Sequence, residues 1–424
     1  MQTLEAQRGN GRDDYPIRPL WNALIAGIIY NHPTVASLLR ELRRNAELRQ
    51  LCGFDPLKGE QAVPPEWAFS RFISLLKDQE PLIEAMFHEL VEQLKQELPD
   101  LGVKLAADGK AIESFGNPVR DEEKKDEADG RRDIDADWGK KSYRGKREDG
   151  TAWEKTKRWF GYKLHLLVDS VYELPLAYDI TEASKSDMDH LLPLVEDLNA
   201  KHPQIVQDAE ELSADKGYDS AKNKAVLYDD YDIKPVIDNR ILWKEEPEKP
   251  RVLYPERADS FLYNELGQVF CLCPSERLGE DEVRELAFVG FEKDRNTLKY
   301  RCPAAYYGLD CPGRKECEAN AQVGDFGRVV RIPLEVDRRI FTPIARSSQK
   351  WEKAYKRRTA VERVNSRIDQ LLGFEHHTIR GKKKMKLRMG LALVVMLAMA
   401  LGRIRAGQKD RLRSMVMPVR RAAA

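Results

Sequence analysis

The chain has almost no net charge, because 71 Lys and Arg residues oppose 70 Asp and Glu residues in 424. It also lacks an apolar opening segment: residues 1–14 are polar and carry both charge signs, so we expect no secretory signal peptide. Its longest apolar run, residues 389–401, is too short to cross a bilayer alone and indicates a buried helix. There is no internal repeat. These absences favour a cytoplasmic, globular protein.

Cysteines are few and unevenly placed. One of the six is Cys52, and the other five lie late in the chain: Cys271, Cys273, Cys302, Cys311 and Cys317. Such a distribution is not typical of a small secreted disulfide scaffold, so we expect a reducing compartment. Four of the late thiolates could form a tetrahedral structural zinc site, although the spacing C-x-C-x28-C-x8-C-x5-C lacks two clean C-x2-C knuckles. Zinc binding and reduced or partly oxidised thiols therefore both stay open.

Charge is abundant even though it cancels. A third of the residues are charged, and basic residues concentrate towards the C-terminus, where residues 380–388 read RGKKKMKLR. A basic face on a near-neutral protein suits a polyanionic partner such as a nucleic acid. The alternative is an ordinary solvated surface.

The first hundred residues have a helical pattern. Leu and Ile recur at helical spacing through residues 15–99, and Thr34 is placed to cap one of the helices. That helix carries Arg40, Arg43 and Arg44 away from its leucines. A small bundle with an arginine-bearing helix could dock in a DNA groove, as helix-turn-helix modules do. Dimerisation or packing is the alternative role.

The middle of the chain predicts an α/β fold. Residues 119–158 are dense in charge and poor in apolar residues, so we expect a flexible loop or a solvent-exposed insertion. The elements predicted after it are two strands within 160–180 joined by a turn near 170–173, a helix over 186–201, a strand ending at Asp215, a helix over 221–228 and a strand over 234–238. This order indicates a mixed sheet flanked by helices. Cys-bearing, strand-like pieces interrupt it over 239–333, and helical character returns over 347–402.

Two aspartates end short apolar runs and precede a glycine. Asp108 lies in KLAADGKAI and Asp215 in ELSADKGYDS, so strands should deliver both carboxylates to one edge of the sheet. We expect Gly109 and Gly217 to turn the chain directly after each acid. Either aspartate alone would be read as a turn residue, and the argument rests on their combination with a third acid.

That third acid is Glu362, on a basic helical segment. Tyr355, Arg358 and Glu362 are spaced i, i+3, i+7 and therefore share one stripe of a helix. The neighbouring apolar stripe, which should seat this helix against the sheet, consists of Val361, Val364, Ile368, Leu371 and Leu372. A surface ion pair with a nearby Arg is the alternative role for Glu362. Carboxylates gathered in this way hold divalent ions against a phosphodiester.

In these residues the chain resembles bacterial insertion-sequence transposases of the DDE type, whose catalytic domain has an RNase H-like fold. The matching pieces are ADGKAI, GYKLHLLVD, SADKGYDS and the Y-x2-R-x3-E arrangement that ends at Glu362. Upstream, TVASLLRELRRNAELRQLCGF and VPPEWAFSRF resemble the helical domain that precedes the core in one branch of that superfamily. Together these pieces cover most of the chain.

The resemblance implies an enzyme. Asp108, Asp215 and Glu362 would be its catalytic triad and would hold Mg²⁺ or Mn²⁺. Water would first free a 3′-hydroxyl at the transposon end, and that hydroxyl would then attack target DNA. The residues implied to contact DNA are Tyr355, Arg358, Arg363, Arg367, Lys382, Lys383 and Lys384. The implied partners are double-stranded terminal inverted repeats and target DNA, bound by a homodimer on the bacterial nucleoid.

On the same resemblance the chain divides into five parts. They are a helical N-terminal domain expected to bind DNA (1–100), the first part of an RNase H-like core (101–240), a Cys-containing strand-rich insertion (241–335), the second part of the core (336–405) and a basic tail (406–424). Relatives carry a similar Cys-bearing insertion. Many also place a Lys seven residues after the Glu, where this chain has Asp369. Any phosphate contact of that Lys should then come from Arg363, Arg367 or the lysines at 382–384.

Two other functions stay open at this point. One is a DNA-binding protein descended from a transposase that no longer catalyses a reaction, although the intact acidic triad argues against it. The other is a nuclease of the same fold that cleaves DNA without strand transfer. Terminal inverted repeats flanking the gene would separate a transposase from such a nuclease.

Overall fold

The computed structural model describes most of the chain. The described residues are 2–7, 15–119, 131–147, 149, 151–243, 249–256, 261–273, 282–311, 317 and 327–413.

Six helices form the N-terminal part, which confirms the helical pattern predicted for residues 15–99. They are α1 (Gln2–Gln7), α2 (Ile17–Ile29), α3 (Val35–Arg44), α4 (Ala46–Cys52), α5 (Glu66–Lys77) and α6 (Glu80–Glu97). Thr34 caps α3 as predicted, because its hydroxyl accepts a hydrogen bond from the Ser37 N–H at 3.1 Å. Leu38, Leu39 and Leu42 face the core on the opposite side from the exposed Arg40 and Arg43.

A six-stranded mixed sheet forms the centre of the fold. Its strands are β1 (Lys104–Glu113), β2 (Asp137–Lys146), β3 (Ala152–Asp169), β4 (Leu174–Glu182), β5 (Glu211–Ala214) and β6 (Lys234–Ile237). The order is β2-β3-β1-β5-β6, with β4 also paired to β3. Strand β3 runs antiparallel to its neighbours, whereas β1, β5 and β6 are parallel to one another. Residues 161–169 of β3 are almost entirely buried, and the turn near 170–173 lies where the sequence predicted it.

Strand β2 and the first half of β3 correct the expectation for residues 119–158. Residues 120–130 lie outside the described part, but the rest of that segment contains two long paired strands, with Lys146 opposite Ala152 and Asp137 opposite Gly161. The sequence pattern failed here because the two strands satisfy each other's backbone groups while their charged side chains stay in water. No buried face was needed, so no apolar alternation is present.

Helices cover both faces of the sheet. They are α7 (Asp187–Lys201), α8 (Pro203–Asp208), α9 (Ala221–Asp229), α11 (Gln349–Tyr355), α12 (Thr359–Gln370) and α13 (Lys382–Arg405). The short helix α10 (Pro303–Tyr307) belongs to the segment between β6 and α11. One apolar core runs from the N-terminal helices through the sheet to α12 and α13. Helix α13 is long and apolar enough to cross a membrane, because its most apolar 18-residue stretch has a mean hydropathy of 1.8. In the fold, however, 67% of that stretch is buried. It therefore serves as a core helix.

The segment between β6 and α11 has its own small sheets. One contains β7 (Arg251–Val252), β8 (Phe261–Tyr263), β9 (Val269–Cys273) and β10 (Glu282–Glu285); the other contains β11 (Ala287–Glu292), β12 (Thr297–Arg301) and β13 (Val329–Pro333). A second apolar cluster, which includes Tyr300 and Ile332, holds them together. The chain as a whole has a mixed α/β fold.

Candidate active site

Asp108 and Asp215 lie side by side at the end of the parallel strands. Strand β1 pairs with β5 up to Ala107 opposite Ala214, so the next residue of each strand is one of the two aspartates. Strand β5 ends there. The two carboxylates are close enough for the charge of Asp215 to raise the pKa of Asp108.

The predicted turn at Gly109 is wrong. Strand β1 continues through Gly109 to Glu113, because β3 pairs with it along that whole length as far as Glu113 opposite Gly161. Asp108 therefore projects from the middle of a strand, at the point where only its parallel neighbour stops. This antiparallel support holds the backbone on both sides of Asp108.

Asp215 does stand at a turn. Its side chain caps a 3-10 helix over Lys216–Tyr218, with Oδ1 accepting a hydrogen bond from the Gly217 N–H at 2.7 Å. Gly217 has no left-handed backbone angle, so conformational freedom is not its role. A Cβ on Gly217 would lie 2.6 Å from Asp215 Oδ1, and the glycine therefore leaves room for the capping carboxylate.

Glu362 reaches the same region from α12. Val361 and Val364 on either side of it are buried, whereas the Glu362 side chain is 49% exposed. The helical segment is interrupted: α11 ends at Tyr355, and a 3-10 turn over Lys356–Arg358 precedes α12. Tyr355, Arg358 and Glu362 nevertheless stay together, since Arg358 Nη1 lies 2.7 Å from Glu362 Oε1 and its guanidinium lies 5.6 Å from the Tyr355 ring.

A cavity of about 840 Å³ joins two of the three acids. Asp108 and Glu362 both line it, together with Lys110, Lys157 and other residues of β1 and α12. The lining is mostly polar or charged, unlike that of a site for an apolar small molecule. The volume of the cavity and its polar lining suit a charged, extended ligand.

The electrostatics of Asp108 distinguish it from a surface carboxylate. Burial, and after it the charge of Asp215, raise the pKa of Asp108 from 3.8 to about 6. Lys141 and Arg358 act in the opposite direction but do not cancel the effect. Two carboxylates with too little positive charge around them form a site that a cation would stabilise.

The donor set fits Mg²⁺ or Mn²⁺, both of which prefer carboxylate oxygens. In the described part of the chain, no three His, Cys, Asp or Glu side chains are yet gathered as a metal site would require. Glu362 is held by the Arg358 ion pair, and this pair supplies positive charge next to Asp108. For all three acids to hold one metal site, Glu362 would therefore have to leave Arg358 and bind the ion instead.

Several basic residues named from the sequence lie away from this cavity. Arg363 and Arg367 both contact the buried Glu173, at 2.6 and 2.8 Å. Arg367 is only 7% exposed, so we do not retain it as a DNA contact.

The lysines named from the sequence lie at the start of α13. Lys382 lies 2.7 Å from Glu182, and Lys383 is exposed near Asp78. Lys384 is also exposed on that helix.

Lys110, which was not among the basic residues named from the sequence, lies beside α12. Its Nζ lies 2.5 Å from Asp369 Oδ2, and both residues line the cavity. In this ion pair the cation lies on β1 and the acid on α12. A sequence signal existed, because Lys110 is two residues after Asp108 and so shares its face of the strand.

Asp187, at the start of α7, is a fourth carboxylate close to the pair of aspartates. Its Oδ1 lies 3.1 Å from Lys163 Nζ and 3.7 Å from Nδ1 of the fully buried His165. It packs directly over Gly109, where a Cβ would lie 2.3 Å from Asp187 Oδ1. The sequence placed Asp187 near a helix start but gave no indication of this contact, which depends on the packing of α7 against the sheet.

We expect Gly109→Ala to lower the free energy of unfolding by about 1–3 kcal/mol, because the new methyl group must displace the Asp187 carboxylate from Lys163. Chemical denaturation measures this. Gly290→Ala is a matched control, since nothing lies within 4 Å of a Cβ at Gly290. In an Asp187→Ala background the loss should shrink; an equal loss in both backgrounds would contradict the proposed contact.

The described cysteines are not gathered as a zinc site would require. Cys271 and Cys311 are buried in the second apolar cluster, and Cys302 packs against its edge. Among the side chains that the structure describes, no three possible zinc ligands come together. The side chain of Cys273 lies outside the described part, and Cys317 is described only as a single half-buried residue. Burial of thiols in an apolar cluster is how reduced cysteine commonly packs.

The fold and the site define an α/β protein with two acidic residues where the pairing of neighbouring parallel strands ends, and a third acid on a covering helix. Comparison with protein-family models agrees with this description. Residues 103–398 match the family described as "Transposase DDE domain", and residues 2–75 match "Transposase domain (DUF772)". A search of curated proteins gives no match. The chain belongs to the DDE transposase family.

Proposed function

We propose that the protein cleaves DNA at the ends of an insertion sequence and joins the freed 3′-ends to target DNA. The observation that carries this proposal is that Asp108 and Asp215 adjoin where the parallel pairing of β1 and β5 ends, with Glu362 lining the same cavity as Asp108. Three separate segments of the chain supply these acids, and the family to which the chain belongs uses such acids for DNA chemistry. The sheet order β4-β3-β1-β5-β6 also supports an RNase H-like core.

Asp108, Asp215 and Glu362 would hold Mg²⁺ or Mn²⁺. When bound, the ions would activate the attacking oxygen and stabilise the leaving oxygen of the phosphodiester. The protein contributes rigid positioning: β3 supports the backbone around Asp108, and the Gly217 N–H fixes the Asp215 carboxylate. No serine or tyrosine nucleophile is required for such a reaction.

Arg358 and Tyr355 would contact the DNA phosphate. Arg358 Nε is buried without a hydrogen-bond partner, so the guanidinium has an unused donor beside Asp108 and Glu362. An arginine in this position can form a charge-assisted hydrogen bond to phosphate once Glu362 turns to the ion. Tyr355 stacks on Trp351 at 4.6 Å, which holds its ring next to Arg358. We propose that phosphate and metal ions together replace the Arg358–Glu362 ion pair.

The N-terminal helices would recognise the ends of the element. Arg40 and Arg43 are exposed on α3, which suits contact with DNA phosphates. We retain the proposed segments 1–100, 101–240, 241–335, 336–405 and 406–424, with catalysis in the second and fourth. A homodimer bound to paired ends is part of the same proposal.

The test is a reaction on a plasmid carrying the coding segment with its native flanking DNA. We expect Mg²⁺-dependent strand breaks at the element boundaries, followed by covalent joining of the 3′-ends to a second plasmid. Breaks without joining would support the nuclease alternative. Specific binding of the boundaries without breaks would support the non-catalytic alternative, and either result would overturn the transposase proposal.

A further inference from the structure

A two-stranded ribbon projects from the central sheet beside the cavity. It consists of β2 and the first part of β3, and we call residues 137–147 and 151–158 the basic ribbon. Strand β1 pairs with β3 only from Gly161 onwards, whereas β2 pairs with it from Ala152 to Gly161. Residues 152–158 are all exposed. At about 3.3 Å per residue, those seven residues extend about 23 Å beyond the sheet.

The basic ribbon concentrates exposed positive charge. Its exposed cations with described side chains include Lys140, Lys141, Lys155, Lys157 and Arg158. Among the residues that the structure describes, no carboxylate forms an ion pair with any of these five. Elsewhere in the described chain, by contrast, lysines and arginines commonly contact carboxylates, as Lys110 and Arg363 do.

The register places like charges directly opposite each other. Lys141 pairs with Lys157, and Lys140 pairs with Arg158. Like charges across a strand pair destabilise it, so these pairs do not serve the stability of the ribbon itself. A polyanion lying along the ribbon would remove the repulsion. Because successive residues point to opposite faces, one pair lies on each face, and both faces are basic.

The ribbon is continuous with the active-site cavity. Lys157 lines the cavity that Asp108 and Glu362 share. The charge of Lys141, directly opposite Lys157, acts on the Asp108 carboxyl. A ligand in this cavity therefore lies against the base of the ribbon. The ribbon also carries exposed aromatic surface, with Trp138 54% and Trp153 37% exposed.

We propose that the basic ribbon enters the major groove of the DNA end next to the bond that is cut, with lysines on its two faces contacting the phosphates of the two groove walls. The proposal rests on the proposed function, because it assigns the ribbon to the same DNA substrate. A major groove about 12 Å wide admits a two-stranded ribbon. Basic side chains on both faces suit such a groove, because its two walls both carry phosphates. The alternative partner, an acidic protein surface, would contact only one face of the ribbon.

The experiment measures DNA affinity of the full chain as a function of salt. The probe is a fluorescein-labelled duplex from the boundary of the element, and an unrelated duplex of equal length is run beside it, both without divalent metal. We expect Lys141→Gln/Lys157→Gln to weaken binding about 10-fold and to lower the slope of log K against log salt by about 2, because two phosphate contacts are lost. Lys201→Gln/Lys293→Gln, which removes two exposed lysines elsewhere, should leave both quantities unchanged.

A second variant guards against misfolding. Lys157→Glu places an acid opposite Lys141, so the ribbon should be at least as stable as in the wild type while DNA binding falls further. Melting temperature measured with and without DNA separates the two effects. Wild-type affinity and salt slope in both ribbon variants would overturn the proposal.

Cleavage by the wild type, measured in the same preparation, distinguishes the two proposals. If the wild type cleaves the DNA and the ribbon variants bind normally, the ribbon assignment alone is wrong. If the ribbon variants lose affinity and the wild type never cleaves, the ribbon still binds DNA and the proposed reaction is wrong.

Discussion

Replacing Asp108, Asp215 or Glu362 by its amide should reduce DNA strand cleavage by at least about 10³-fold, which corresponds to about 4 kcal/mol of lost transition-state stabilisation. Each substitution keeps the shape of the side chain but removes the charge that would hold a divalent ion. The effect should be similar for all three residues, because they are proposed to act as one site. Cleavage of labelled boundary DNA in Mg²⁺ measures it.

The matched control for this series is Glu375→Gln. Glu375 also lines the cavity, is exposed and lies on the same side of the molecule, but it is outside the proposed triad. We expect its cleavage rate to stay within about 2-fold of the wild type, as for an ordinary surface substitution. Boundary-DNA affinity in the absence of metal should be unchanged in all four variants. Substantial cleavage by Glu362→Gln would show that the third acid is wrongly assigned.

Asp108→Asn should stabilise the protein at neutral pH while it abolishes activity. The pKa of Asp108 is raised to about 6, so the folded protein holds this carboxyl's proton more tightly than the unfolded chain does. The stabilising contribution of the protonated form is complete below the unfolded pKa of about 4 and is lost as the pH rises through about 6. At pH 7.5 the wild type therefore carries a buried charge that the amide avoids.

The expected gain is about 3 kcal/mol in the free energy of unfolding at pH 7.5, falling to zero near pH 4. Urea denaturation at both pH values measures it, without divalent metal. Asp369→Asn is the control, because Asp369 is paired with Lys110 and its loss should not stabilise the fold. A loss of stability at pH 7.5 in Asp108→Asn would contradict the claim that the ionised Asp108 carboxylate destabilises the fold. Mg²⁺ should raise the melting temperature of the wild type much more than that of Asp108→Asn.

The sequence was informative where residues close in the chain act together. The buried run of β3, the turn after it, α7 and the strand before Asp215 all lie where periodicity and turn residues predicted them. The pairing of Arg358 with Glu362 also follows from helical spacing, since four residues separate them. Such features depend on the geometry of a single helix or strand.

The sequence was misleading where the partner strand decides the structure. Gly109 resembles a turn residue, but pairing with β3 carries the strand past it. The charged segment before residue 158 resembles a loop, yet β2 and β3 pair there while residues 152–158 stay exposed. In both places the backbone is stabilised by a ladder between segments whose register the local composition does not encode.

Other site residues depend on tertiary packing alone. Lys110 contacts Asp369 across more than half of the chain, and Asp187 lies over Gly109 because α7 packs on the sheet. Strand alternation places Lys110 on the same face as Asp108, but it does not reveal the partner Asp369, and the Asp187 contact has no local signal. The same holds for Arg367, whose basic character favoured a surface role although Glu173 holds it inside.

The central claim is that Asp108, Asp215 and Glu362 form one metal site for DNA cleavage. The most direct measurement is anomalous diffraction from crystals of the full chain bound to boundary DNA and Mn²⁺. The account predicts two manganese positions about 4 Å apart, with carboxylate oxygens of all three residues about 2.1 Å from at least one ion and Arg358 turned to a phosphate. Manganese absent from these carboxylates, or an intact Arg358–Glu362 pair beside a bound phosphate, would contradict it.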